Sequence, residues 1–230
     1  MYTLTIDLTK EQVEMLHANG DKIVLAKPST AGQTPDVAWL AFNGLPKNVV
    51  SWEENYGVYA STSAITNGAT LDQLSASPMP ATIATVYELD AAGIINGPTK
   101  LPGQPGAFGL HNLYENVAPG TPMTVGLFQN ATIGAQQVTG NAVSAAPVMQ
   151  GQTAEMTPYT HVYIWTQAQI VGNSVVTVIS GNRTELQFGG DTTDLTVTYD
   201  SSTATFNVVS SHSPAAIHHL SERTSHAQKA

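Results

Sequence analysis

The sequence predicts a mainly β protein, an antiparallel two-sheet β-sandwich with one short helix at about 10–18 and a C-terminal tail that is helical or disordered. Three observations carry that reading. Runs of five to eight residues rich in Val, Ile, Thr, Tyr and Trp recur between Gly, Pro and Asn turns. Apolar side chains alternate with Thr or Ser, as in Leu195-Thr196-Val197-Thr198-Tyr199, so that one face of a strand is greasy and the other hydroxylated. Helical periodicity is confined to one short stretch near the start.

Leu4, Ile6 and Leu8 alternate with Thr5 and Asp7 as an opening strand. Thr9 then stands three residues before Gln12, the spacing at which a hydroxyl and an amide reciprocally satisfy the free N–H groups of a helix start. Val13 and Leu16 follow at helical spacing, and Asn19-Gly20 supplies the left-handed stop. Lys22 to Ala26 resumes as a strand. Val37 to Phe42 and Val49 to Tyr59 read as a pair joined by the turn 43–48. Further strands are expected over 81–89, 109–114, 124–128 and 143–149. The last third reads as five strands with short turns, at 161–169, 174–180, 184–188, 195–199 and 203–209. The expected organisation is one β domain over 1–211, with a place for a division in the Pro- and Gly-rich loop 96–106, and a His-rich polar tail over 212–230.

Charge is the compositional anomaly. Eight Lys or Arg stand against 17 Asp or Glu, and charged residues make up 11% of the chain, where about 25% is usual. Apolar content is ordinary at 42%, so the missing charge is replaced by Thr, Ser, Gly, Asn and Gln. The acidic balance of −9, with Lys100 the only base between Asn48 and Asn182, argues against nucleic acid, which needs clustered cations. No run approaches 18 apolar residues and no signal-peptide pattern opens the chain, so the expectation is a protein without a membrane-spanning helix, cytoplasmic or released without a signal peptide. Cysteine is absent, which removes disulfides, thiolate metal sites and cysteine nucleophiles.

Few groups suit acid–base chemistry. Glu53 and Glu54 are adjacent, and on a strand they point to opposite faces. Asp191, Asp194 and Asp200 lack the spacing of a calcium loop and read as turn residues. No G-x-S-x-G marks a nucleophile. His218, Glu222 and His226 fall at i, i+4 and i+8 of a helical tail and are the one candidate metal set, although the outer two lie about 12 Å apart along such a helix. No cofactor is expected.

The aromatic residues are more suggestive. Trp52, Tyr56 and Tyr59 cluster in one stretch, and Tyr163 and Trp165 share a strand face with Gln167. Rings beside amides suit a neutral sugar, since the ring stacks on the pyranose while amides bind its hydroxyls. The same rings, and Trp39 with them, also suit a sandwich core. In composition the chain resembles small cysteine-free β-sandwich lectins and lectin-like cytolysins, without a motif matched residue by residue. The reading is a non-enzymatic, lectin-like binding protein for a neutral glycan or lipid headgroup, with those six residues as its ligand site and a homo-oligomeric state. Two alternatives stand beside it. One is a self-assembling structural protein, favoured by weak charge repulsion between strand edges. The other is an enzyme acting on a small natural product in a β-barrel pocket, with His111, Glu115 and His161 in the polar roles.

Overall fold

The computed structural model describes residues 1–28, 35–179 and 181–212. Strand β1 (Tyr2–Asp7) buries Leu4 and Ile6 and leads into α1 (Lys10–Asn19). The Thr9 hydroxyl accepts from the Gln12 N–H at 3.3 Å, and Gln12 Oε1 accepts from the Thr9 N–H at 2.9 Å. Gly20, at φ +70°, closes the helix in the left-handed conformation that costs a glycine nothing. The helix docks through Leu16 and through Gln12 Nε2, which donates to Tyr199 O at 2.7 Å.

The remaining described residues form strands and their connections. They run through β2 (Asp21–Ala26), β3 (Val37–Ala38), β4 (Leu40–Phe42), β5 (Lys47–Trp52), β6 (Gly57–Ser61) and β7 (Gln73–Ala76). Then come β8 (Thr85–Leu89), β9 (Ile95–Asn96), β10 (Phe108–Asn112), β11 (Met123–Ile133), β12 (Gln136–Ala142) and β13 (Ala146–Val148). The last are β14 (Thr153–Met156), β15 (Val162–Ala168), β16 (Ser174–Val175), β17 (Thr184–Leu186), β18 (Asp194–Asp200) and β19 (Thr205–His212).

The protein is thus mainly β, with several sheets that are largely antiparallel. A nine-stranded sheet runs β19-β18-β1-β5-β11-β6-β7, with β12 and β13 also paired to β11. Two four-stranded sheets run β14-β10-β8-β9 and β17-β15-β2-β4, and β16 pairs with β3. Two contacts depart from the antiparallel expectation: β1 lies parallel to β18, and β8 parallel to β10. The loop 96–106 therefore connects elements of a single sheet, since β8 and β10 pair across it.

The expected hairpin of 37–42 with 49–59 does not form. The second run is interrupted at 53–56, where Glu54 accepts from both Trp52 and Tyr56 and Asn55 donates to Glu53, bending the chain between β5 and β6. As a result β4 pairs with β2, while β5 and β6 pair with β11. The largest core cluster draws on the nine-stranded sheet through Leu4, Val50 and Val125, and on the two four-stranded sheets through Leu110 and Ile164. Smaller clusters surround Trp165 and Tyr59 on the opposite faces of their strands.

Candidate functional site

The side-chain alternation expected in β15 holds, but both of its faces are covered. Val162 and Ile164 enter the main core, while Tyr163 and Trp165 enter a second cluster with Val24, Ala38 and Val176. Trp165 Nε1 donates to Gln167 Oε1 at 2.8 Å, so the amide expected to bind ligand is engaged by the ring beside it. Tyr163 carries the Arg183 guanidinium 5.4 Å from its ring centre. Burial first, and then the Glu185 carboxylate, push its hydroxyl up. Trp52, Tyr56 and Tyr59 are buried as well. Of the six residues expected to form an aromatic platform, only Gln167 is partly exposed. The rings are divided among three apolar clusters: Trp52 and Tyr56 enter the main core, Tyr59 packs with Phe128, and Tyr163 and Trp165 pack with Val24.

What Trp52 and Tyr56 do instead is enclose a cation. Lys27, at the exit of β2, is 1% exposed. Its Nζ lies 5.5, 5.7 and 5.1 Å from the ring centres of Trp39, Trp52 and Tyr56. The ammonium donates to Glu54 Oε1 at 2.8 Å and to the Tyr56 hydroxyl at 2.9 Å. Glu54 Oε1 also accepts from Trp52 Nε1 at 2.9 Å, and Oε2 accepts from the Tyr56 hydroxyl. Burial pushes Lys27 down to about 8 against the opposing pull of Glu54. The Tyr56 hydroxyl is pushed well up by burial and by the same carboxylate. Trp39 Nε1 donates to Gln129 O at 3.1 Å, and Gln129 Nε2 donates to Glu53 O at 2.6 Å, which ties the cage to β11. Sequence reasoning missed Lys27. Its one signal is a lone base closing the apolar run Ile23–Ala26 ahead of Pro28.

Beside this cage the surface opens into a concavity of about 260 Å³, with Trp52 at its inner wall. Its geometry follows from register. Ser51 on β5 pairs with Thr132 on β11, which pairs with Gln137 on β12, so two hydroxyls and an amide stand abreast across three strands. Glu53, Asn55, Asn130 and Thr139 complete the polar wall, and Met79 supplies an apolar edge. Asn130 Oδ1 accepts from the Gly140 N–H at 2.8 Å, which fixes the β11–β12 hairpin. Among the described residues, Glu53 is the only charged side chain lining the hollow. Glu53 lines this hollow while Glu54, in the bend between β5 and β6, reaches the cage.

The three residues considered for an enzyme are not brought together. His111 Nδ1 lies 3.0 Å from Thr153 Oγ1 on the adjacent strand, His161 Nδ1 lies 2.8 Å from Glu185 Oε1, and Glu115 is exposed in the loop after β10. Asp200 behaves as a turn residue, its carboxylate held below the usual range by hydrogen bonds from the Ser202 hydroxyl and N–H. Among the described residues no three His, Asp or Glu side chains gather as a metal-ligand set, and no helix is long and apolar enough to cross a membrane. His218, Glu222 and His226 lie outside the described residues. Comparison with protein-family models, with curated proteins and with solved structures returned no match.

Proposed function

We propose that the chain is a non-enzymatic, lectin-like binding protein for a neutral polar ligand of the glycan class, held in the concavity between β5, β11 and β12. The observation that carries this reading is the Ser51–Thr132–Gln137 row, flanked by Asn55, Asn130 and Thr139, in a hollow with a single carboxylate among the described residues. Hydroxyls and amides match sugar hydroxyls in both donor and acceptor capacity and require no ligand charge. The partly exposed Met79 and Val138 offer apolar surface for a sugar face, a smaller contribution than the exposed ring platform expected from sequence. The sheets that share the main core are read as the layers of a sandwich, with the hollow at a sheet end.

Glycan-array binding at physiological salt, with neutral phosphocholine vesicles as the lipid arm, tests the proposal. Glycan binding weakened about tenfold by Gln137→Ala supports it, a loss of the size of one good hydrogen bond. Binding to vesicles alone, to nothing, or undiminished by both Gln137→Ala and Thr132→Val overturns it.

A second reading, self-assembly, is favoured by β19. It is an end strand of the nine-stranded sheet, its run from Thr205 to Ser211 carries no charged residue, and Val208 and Val209 are 50% and 58% exposed. A molar mass by light scattering that stays monomeric across a hundredfold dilution, on the order needed to resolve micromolar association, removes this reading and leaves the first intact.

A further inference from the structure

We propose that the Lys27 amine and the Glu54 carboxyl condense into an internal amide bond, so that the aromatic cage is a site of self-modification. The reacting groups are in contact, with Nζ 2.8 Å from Oε1 and the two side chains 2% and 24% exposed. An amine attacks a carboxyl only when the amine is neutral and the carboxyl protonated. The neutral amine is disfavoured in water and favoured where charge is poorly solvated. The rings of Trp39, Trp52 and Tyr56 around Nζ provide that environment. Burial drives Lys27 toward the neutral form, down to about 8.

The Tyr56 hydroxyl is placed as a proton relay. It accepts from Nζ at 2.9 Å and donates to Glu54 Oε2, so it bridges the amine and the oxygen that must leave. Trp52 Nε1, 2.9 Å from Oε1, is placed to donate to the oxygen that gains charge as Cδ becomes tetrahedral. In the balanced step, one proton passes from the ammonium through Tyr56 to Oε2, giving an amine and a carboxylic acid. The Nζ lone pair then forms the Nζ–Cδ bond. A second Nζ proton follows the same relay, the Cδ–Oε2 bond breaks, and Oε2 leaves as water. Nitrogen keeps one hydrogen, the product is a secondary amide, and no oxidant, reductant or co-reactant is consumed. The bond is independent of the ligand reading: its absence leaves the hollow as described.

The experiment is intact-mass spectrometry of the purified full chain after incubation at pH 6 to 7, where the amine and carboxyl still share the proton the step needs, followed by tryptic digestion. The expected mass is about 18 Da, one water, below that of the sequence. A linked species joining peptides 23–47 and 48–100 is also expected, because Pro28 blocks cleavage after Lys27. Lys27→Met and Glu54→Ala are expected at their full sequence masses. Tyr56→Phe, which keeps the ring, is expected to form the bond about a hundredfold more slowly. A wild-type chain at full mass overturns the proposal without reference to any variant. So does a deficit that survives Lys27→Met, or a deficit of about 17 Da, one ammonia, which assigns the acyl group to an amide such as Gln129.

Discussion

Tyr59 offers a direct test of how the buried hydroxyls tie stability to pH. Its side chain is fully buried on β6, and its hydroxyl donates to Ser144 O at 2.8 Å. Burial first, and then the nearby Asp36 charge, push the phenol above its ordinary value of 10.0. The folded protein therefore keeps a proton that the unfolded chain releases above about pH 10. A native state that binds more protons loses stability as pH rises, by about 1.4 kcal/mol per pH unit for one such group. The contribution is complete below pH 10 and lost progressively above it. Tyr59→Phe removes the titration together with the hydrogen bond. At pH 8 the variant is expected to be less stable by about 1 kcal/mol, since Ser144 O loses a buried donor. Its alkaline decline is then shallower by one proton, and the two curves converge near pH 11, where the wild type has lost about 1.4 kcal/mol from this group. Tyr56 and any free Lys27 titrate in both proteins and drop out of the difference. Urea unfolding followed by far-UV circular dichroism at pH 8, 10 and 11 gives the comparison. Curves that remain parallel over that range refute the reasoning.

Two further substitutions test the frame that positions the hollow. A Cβ at Gly126 on β11 would stand 1.9 Å from the backbone oxygen of Ser144, so Gly126→Ala is expected to cost about 3 kcal/mol or more. Gly134→Ala, at φ +58° with open space around it, is expected to cost only about 1 kcal/mol. Denaturant midpoints that rank the pair the other way would show that strand spacing there is not set by contact. Thr9→Ala removes the hydroxyl from the helix start and is expected to cost about 1 kcal/mol, read by calorimetry as a fall of roughly 2–4 °C in Tm.

Local grammar was readable from the chain. The Thr9–Gln12 capping box and the Gly20 stop of α1 form as their spacing implies. In β18, Leu195, Val197 and Tyr199 are buried while Thr196 and Thr198 are only partly covered. What stayed hidden was set by partners distant in sequence. The period of two in β15 says which residues share a face but not that both faces are covered, and this is why a packed Trp165 reads like a binding platform. Short strands such as β7, β9 and β14 escaped notice because two to four residues are too few for a period. Lys27 carries only a faint local mark, a base at the end of the apolar run Ile23–Ala26. Its role appears only when β2, the 53–56 bend and Trp39 are brought together. The concavity is legible only after register places Ser51, Thr132 and Gln137 abreast.

The parallel pairing of β1 with β18 also bears on how the chain is made. Thr3 bonds in register with Asp194, so the two strands enclose almost the whole described sequence between them. At a ribosome emitting roughly 5–20 residues per second, β1 waits on the order of ten to forty seconds for that neighbour. Closing so long a loop adds little to the entropic cost, which grows only logarithmically with length, but it delays the contact. During that interval β1 can pair with β5 on one side while its other edge stays open. The waiting strand, Tyr-Thr-Leu-Thr-Ile-Asp, holds one charge in six residues. A nascent chain with that edge unpaired is exposed to pairing with another nascent copy until β18 arrives.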